Sequence, residues 1–287
     1  MISPVYGLSR WAYLSSCLTI IPFGICIFHV VYYPSMYLSM YTLKFLPGTK
    51  DYVLRDLMSK YPESKVVKVS EGSLIFQYKD NNIEIFRNLL SPTHIEDSSG
   101  RILNLSRRPW RKDFVSAGIN PSLAYILCMI ADLKSEDILL DPFCGSSTIP
   151  ITGIKYFNIK KSISSDISGK AIDSSLSNFQ KAGIPTRRYK LFKSDISELK
   201  LNKRNIDKIV SNLPFGIRVG SHDKNEKIYY ELEKVAEKLL RKRGVLVLLT
   251  QEKTLLRKVF KNWKIESVLC VNEGGLLPEV FKIRRKS

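Results

Sequence analysis

From about residue 120 the chain alternates short apolar runs with longer amphipathic stretches, and this rhythm restricts its fold more than any other feature. The runs are DILLD at 137–141, SISSD at 162–166, YKLFKSD at 189–195, IDKIVSN at 206–212 and GVLVLLT at 244–250. Between them lie INPSLAYILCMIADL (119–133), STIPITGIKYF (147–157), SGKAIDSSLSNFQKAG (168–183) and NEKIYYELEKVAEKLLRK (225–242), each with helical spacing. Strands separated by helices pair in parallel, and a parallel sheet must be covered on both faces. The expected class is therefore α/β. The last segment, IESVLCVNEGGLLPEVFKIRR, has two strand-like runs around Glu273, Gly274 and Gly275, which predicts a terminal antiparallel hairpin.

Upstream the pattern is mixed. TLKFL at 42–46 reads as a strand and DYVLRDLMSKY at 51–61 as a helix. SKVVKVSEG and SLIFQYK form a hairpin about Glu71 and Gly72, and IEIFRNLL at 83–90 reads as a second helix. SPTHIEDSSG at 91–100 is expected to be a loop. Three regions result: an apolar leader at 1–39, a small α+β domain at 40–106 and the alternating domain at 107–287. Between Trp11 and Leu43 there is no Lys, Arg, Asp or Glu. Two readings of the leader stand side by side. It is a membrane anchor touching the bilayer through residues 11–38, or translation starts later, at Met36 or Met40.

Lys and Arg number 45 against 27 Asp and Glu, a net charge of +18. Such an excess attracts polyanions, so nucleic acid is the expected partner. The cations also group, as at Arg101, Arg107, Arg108, Arg111 and Lys112, or at Arg187, Arg188 and Lys190, where several phosphates can be neutralised at once. The five cysteines, 17, 26, 128, 144 and 270, are odd in number and never spaced as C-x-x-C, which points to a reducing, cytoplasmic compartment. With only three histidines besides, no metal site is expected.

Chemistry is expected beyond the carboxyl ends of the strands. The first ends in DPFCGSST at 141–148, where Gly145 lets backbone approach a ligand and the next helix presents its amino end. Neither G-x-G-x-x-G nor G-K-[ST] is present there, which argues against a dinucleotide dehydrogenase and a P-loop. The second strand ends at Asp166, 25 residues after Asp141, where a carboxylate can accept from both hydroxyls of a ribose. The third ends at Asp195. Each Asp singly is a common helix cap, but three at successive strand ends favour a nucleoside-bearing cofactor. The fourth strand delivers SNLPFG at 211–216. An exocyclic base amine is a weak nucleophile because its lone pair is delocalised, so its two protons must be held by acceptors. Asn212 offers its amide oxygen. Pro214 holds Leu213 extended, leaving the Leu213 carbonyl as a second acceptor, and Phe215 offers a face on which a base can stack.

DPFCGSSTIPI, SSDIS, KSDIS and SNLPFGIRVGS, in this order, resemble the S-adenosylmethionine-dependent methyltransferases that modify the 2-amino group of tRNA guanine, closest to their THUMP-linked subgroup. The resemblance covers about residues 107–287 and implies a Rossmann-like class I methyltransferase domain with a mostly parallel seven-stranded sheet, preceded by a small α+β ferredoxin-like domain. It further implies that Asp141, Pro142, Cys144 and Gly145 meet the methionine end of the cofactor, that Asp166 with Ile167 holds the ribose, that Asp195 and Ile196 contact the adenine, and that Asn212, Leu213, Pro214 and Phe215 hold the target amine. Ser147 and Thr152 depart from the glycine and the acidic residue usual in the family. Residues 41–106 are too short for the family's two amino-terminal modules. Adenine methylation in RNA or DNA is the rival within this chemistry. An inactive RNA-binding or membrane-tethered scaffold is the rival outside it.

Overall fold

Why buried runs become the centre of a sheet is visible in the computed structural model, which describes residues 38–113, 118–214, 222–272 and 275–286. Strands β6 (Ile138–Asp141), β7 (Lys161–Asp166), β8 (Tyr189–Lys193), β9 (Ile206–Asn212) and β10 (Leu240–Thr250) pair in parallel. β11 (Trp263–Cys270) and β12 (Glu279–Arg285) form the antiparallel hairpin. The order is β11-β12-β10-β9-β6-β7-β8, with β12 antiparallel to both neighbours. The strand order reverses between β6 and β9, the position at which an open α/β sheet forms its ligand crevice.

Alternate residues of each strand serve opposite faces. Leu139 and Val210 join one core with α2 (Pro121–Ala131), α3 (Thr148–Tyr156) and α4 (Gly169–Lys181). Leu140 and Ile209 join the other, with α5 (His222–Leu239) and α6 (Lys253–Val259). α2 starts as its sequence suggests, with Asn120 accepting from the Ser122 amide and Pro121 at the first turn. α6 went unrecognised in the sequence.

The amino-terminal region is a five-stranded sheet in the order β2-β3-β1-β4-β5, built from β1 (Ser39–Lys44), β2 (Lys65–Ser70), β3 (Ser73–Tyr78), β4 (His94–Asp97) and β5 (Ile102–Asn104). α1 (Lys50–Lys60) packs on it through Val53 and Leu57. Two expectations change. The stretch 91–100 is not a loop, because β4 pairs with β1 and buries Ile95 in the core of the sheet. IEIFRNLL forms a 3-10 helix at Ile83–Asn88 instead of an α-helix, its start capped by Asn82.

Residues 39–287 form one compact unit. Asp56 of α1 accepts from the Leu90 and Ser91 amides at 2.9 and 3.0 Å and, at 3.5 Å, from the Tyr125 hydroxyl of α2. Gly48, at φ +93°, lies so close to β11 that a Cβ there would stand 1.9 Å from the Cys270 carbonyl oxygen, and the Asn272 amide donates to the Pro47 carbonyl at 3.2 Å. Arg108 was expected on a phosphate-binding surface. It is 5% exposed, donates to the Leu105 and Leu90 carbonyls and lies 5.8 Å from the Tyr156 ring. Its two terminal nitrogens tie the chain at Leu90 to the chain at Leu105.

The leader, apart from Leu38 and Ser39, lies outside the described residues, and Ser39 already belongs to β1. Among the described residues no helix is long and apolar enough to cross a membrane.

Candidate active site

Asp141 closes β6 with its side chain only 1% exposed. It accepts from Ser211 Oγ at 2.6 Å and from the Phe143 amide at 3.2 Å. Ser211 immediately precedes Asn212, so one hydrogen bond joins the turn after the first strand to the end of β9. Burial pushes the Asp141 carboxyl up to about 7, a rise opposed by the Ser211 and Phe143 bonds and reinforced by the nearby Asp166 charge.

The turn itself is strongly curved. Gly145 and Ser147 take left-handed conformations, at φ +52° and +61°. That conformation is costly for a side-chain-bearing residue, which is the physical reason a glycine suits position 147. Here the Ser147 hydroxyl turns away to Ser175 Oγ at 2.8 Å, and Ser175 donates to the Gly145 carbonyl at 2.7 Å. Cys144 is buried, its amide bonded to the Ser165 carbonyl at 3.0 Å, and burial pushes its thiol pKa up, away from the reactive thiolate. Pro142 is also buried, its carbonyl accepting from Ser165 Oγ at 3.4 Å.

Asp166 closes β7 and takes the Gly145 amide on one oxygen at 3.0 Å and the Ser168 amide on the other at 2.9 Å. Each oxygen keeps a second lone pair, so the pair can still accept from a diol. Ile167 follows with 68% of its surface exposed, an apolar platform beside that carboxylate. Asp195 caps a short 3-10 helix at Ile196–Glu198, taking the Ser197 amide and hydroxyl on the same oxygen. The Ser197 bonds hold its carboxyl below the usual range. Ile196 is 5% exposed and packs into the core with Leu140 and Ile163, so its side chain belongs to the core.

Asn212 ends β9 opposite Leu249 of β10. Leu213 is buried and its amide donates to the Leu249 carbonyl at 3.0 Å, while the Pro214 carbonyl accepts from Tyr229 of α5 at 3.1 Å. Phe215 lies outside the described residues. Among those described, no three His, Cys, Asp or Glu side chains gather as they would around a metal ion.

Residues 108–276, more than half of the chain, match the UPF0020 family, described as RMKL-like, methyltransferase domain. The chain belongs to this family. Among UPF0020 relatives, the mouse tRNA (guanine(6)-N(2))-methyltransferase THUMP3 is 28% identical over 185 residues, 58% of this chain and 36% of that protein. The tRNA (guanine(6)-N2)-methyltransferase of Methanocaldococcus jannaschii is 26% identical over 267 residues, 75% of this chain and 70% of that protein. The chain thus spans about a third of the mouse relative's length. In fold it resembles TrmN from Thermus thermophilus, with a TM-score of 0.75 and 17% identity over 86% of this chain and 100% of that one. It also resembles SMU.472, a putative methyltransferase crystallised with SAH, with a TM-score of 0.70 and 14% identity over 87% of this chain and 99% of that one.

Several positioning groups of this UPF0020 domain escaped the sequence reading. Asn178, fully buried on α4, receives the Lys112 and Asp113 amides on its oxygen and donates to the Asp113 and Ser146 carbonyls at 3.0 and 3.1 Å. Arg111 donates to Thr148 Oγ1 at 3.1 Å, at the start of α3. One amide thus fastens the Arg-rich approach segment to the ligand turn. Asn178→Ala removes the partner of these four backbone groups, of which the Ser146 carbonyl is buried, and a stability loss of about 1–3 kcal/mol is expected, read as a lowered urea midpoint at unchanged slope.

Proposed function

We propose that this chain transfers a methyl group from S-adenosylmethionine to the 2-amino group of a guanine in RNA, with tRNA as the substrate. The observation that carries the reading is the 2.6 Å bond from Ser211 to Asp141, which sets the strand end bearing Asn212 beside the 141–147 turn. The residues present fit such a cofactor. Two left-handed residues curve the turn, Asp166 retains lone pairs for a ribose diol, exposed Ile167 offers a surface for a purine, and Asp195 is held as a charged acceptor for an exocyclic amine. When bound, S-adenosylmethionine supplies an electrophilic methyl group. The chain's own task is orientation. The Asn212 amide oxygen and the Leu213 carbonyl would accept the two protons of the target amine and so direct its lone pair toward the methyl carbon. The methyl carbon–sulfur bond would break as the N–C bond forms, releasing S-adenosylhomocysteine, and the surplus amine proton would pass to solvent. The net charge of +18 suits a polyanionic substrate, and the mouse and archaeal relatives bear tRNA guanine-N2 names.

The test is calorimetry of the purified full chain with S-adenosylmethionine, followed by mass spectrometry of nucleosides from unmodified tRNA incubated with both. N2-methylguanosine is expected. N6-methyladenosine would transfer the reading to adenine, RNA binding without methylation would leave a scaffold, and absence of cofactor binding would end it.

A further inference from the structure

Asn212 is held by a strand, but the second acceptor is a backbone carbonyl in the segment that leaves the strand. Something must fix its direction. The Leu213 amide is pinned to the Leu249 carbonyl at 3.0 Å and the Leu213 side chain is buried in the core shared with α5. The next peptide plane is rigid, and the ring of Pro214 fixes φ. What remains is rotation at the Pro214 carbonyl, and there the Tyr229 hydroxyl donates at 3.1 Å.

The same phenol oxygen lies 2.6 Å from Thr250 Oγ1, which also receives the Glu252 amide at 2.9 Å. A carbonyl only accepts, and a hydroxyl carries one proton. The Tyr229 proton is therefore committed to Pro214, the Thr250 proton to the Tyr229 oxygen, and the Glu252 amide fills a lone pair on Thr250. A single directed chain runs from Glu252 through Thr250 and Tyr229 to Pro214. Tyr229 is fully buried, and that burial raises its pKa, keeping the phenol protonated.

We infer that Tyr229, oriented by Thr250, is a positioning residue that fixes the Leu213 carbonyl against the target amine. The inference rests on the function proposed above. A core tyrosine would serve packing alone through its ring, whereas this role resides in the hydroxyl. Tyr229→Phe keeps the ring. It is expected to lower kcat for tRNA methylation about tenfold or more, with the tRNA KM and the calorimetric Kd for S-adenosylmethionine within twofold of wild type. Thr250→Val should match this loss and Thr250→Ser should restore most of the rate. The double variant Tyr229→Phe, Thr250→Val should be no worse than either single one, since both break one chain. A kcat within twofold of wild type for Tyr229→Phe, or losses that multiply in the double variant, would overturn the inference.

Hydrogen exchange supplies a readout independent of turnover. In Tyr229→Phe, exchange at the Leu213 amide should rise while the amides of Leu140 and Ile163 stay as protected as in wild type. Unchanged exchange at Leu213 overturns the positioning role. A wild-type chain that methylates nothing overturns the function reading instead.

Discussion

Asn212→Ala is expected to lower methyl transfer by about a hundredfold or more while leaving S-adenosylmethionine affinity within about twofold. The scale follows from losing one preorganised polar group at the reacting atom. Its selectivity follows from the fold. The main chain of residue 212 is paired with Leu249 in the sheet, and the Asp141 bond is made by Ser211, so truncating the 212 side chain leaves strand and turn in place. Asn212→Asp keeps an acceptor oxygen and should retain more activity than alanine. Transfer of a radiolabelled methyl group to tRNA, alongside cofactor titration by calorimetry, separates the two effects. An alanine variant that methylates at the wild-type rate would remove Asn212 from the reaction.

The second large effect concerns Asp141. A carboxyl group with an ordinary value of 3.8 that titrates near 7 in the fold binds more protons folded than unfolded across that interval. Stability must then fall as pH rises from about 4 to about 7. The upper bound on this contribution is about 4 kcal/mol, from roughly three units at 1.36 kcal/mol each. Asp141→Asn removes the ionisation and preserves an acceptor for Ser211 and the Phe143 amide. Urea unfolding should show the variant more stable than wild type at pH 8, with the difference shrinking toward pH 5. A pH-independent difference would mean that Asp141 does not titrate in this range. If the carboxylate also meets the cationic end of the cofactor, the stabilised variant binds S-adenosylmethionine more weakly.

Both predictions grow from residues visible in the sequence, because buried parallel strands appear as continuous apolar runs and their carboxyl ends mark the crevice. The places of Asp141, Asp166 and Asn212 at strand ends were legible for that reason. Asp195, expected to close the third strand, lies two residues beyond the end of β8 and takes the cap role that any lone Asp in such a position suggests. Less could be read where structure arises from distant pairing. His94–Asp97 is polar and turn-like in sequence, and pairing with the distant strand Ser39–Lys44 and with Ile102–Asn104 makes it a strand. Tyr229 and Thr250 are 21 residues apart and unremarkable locally, and their joint role depends on a helix laid across two strands. Asn178 likewise resembles a solvated helix residue until the chain at 112–113 is folded against it. Arg108 misled in the opposite direction, since a charge cluster in sequence does not disclose which of its members turns inward.

The missing Cβ at Gly48 has a consequence for engineering. The amino-terminal sheet meets the terminal hairpin with no room for a side chain between Pro47 and Cys270, so it is not a cassette that can be exchanged for a relative's module at a convenient linker. A chimera joined near residue 106 keeps its seam only if the incoming module also presents bare backbone at that spot. Otherwise the graft is pushed off the methyltransferase domain, and the close backbone contact between Pro47 and Asn272 is lost with it.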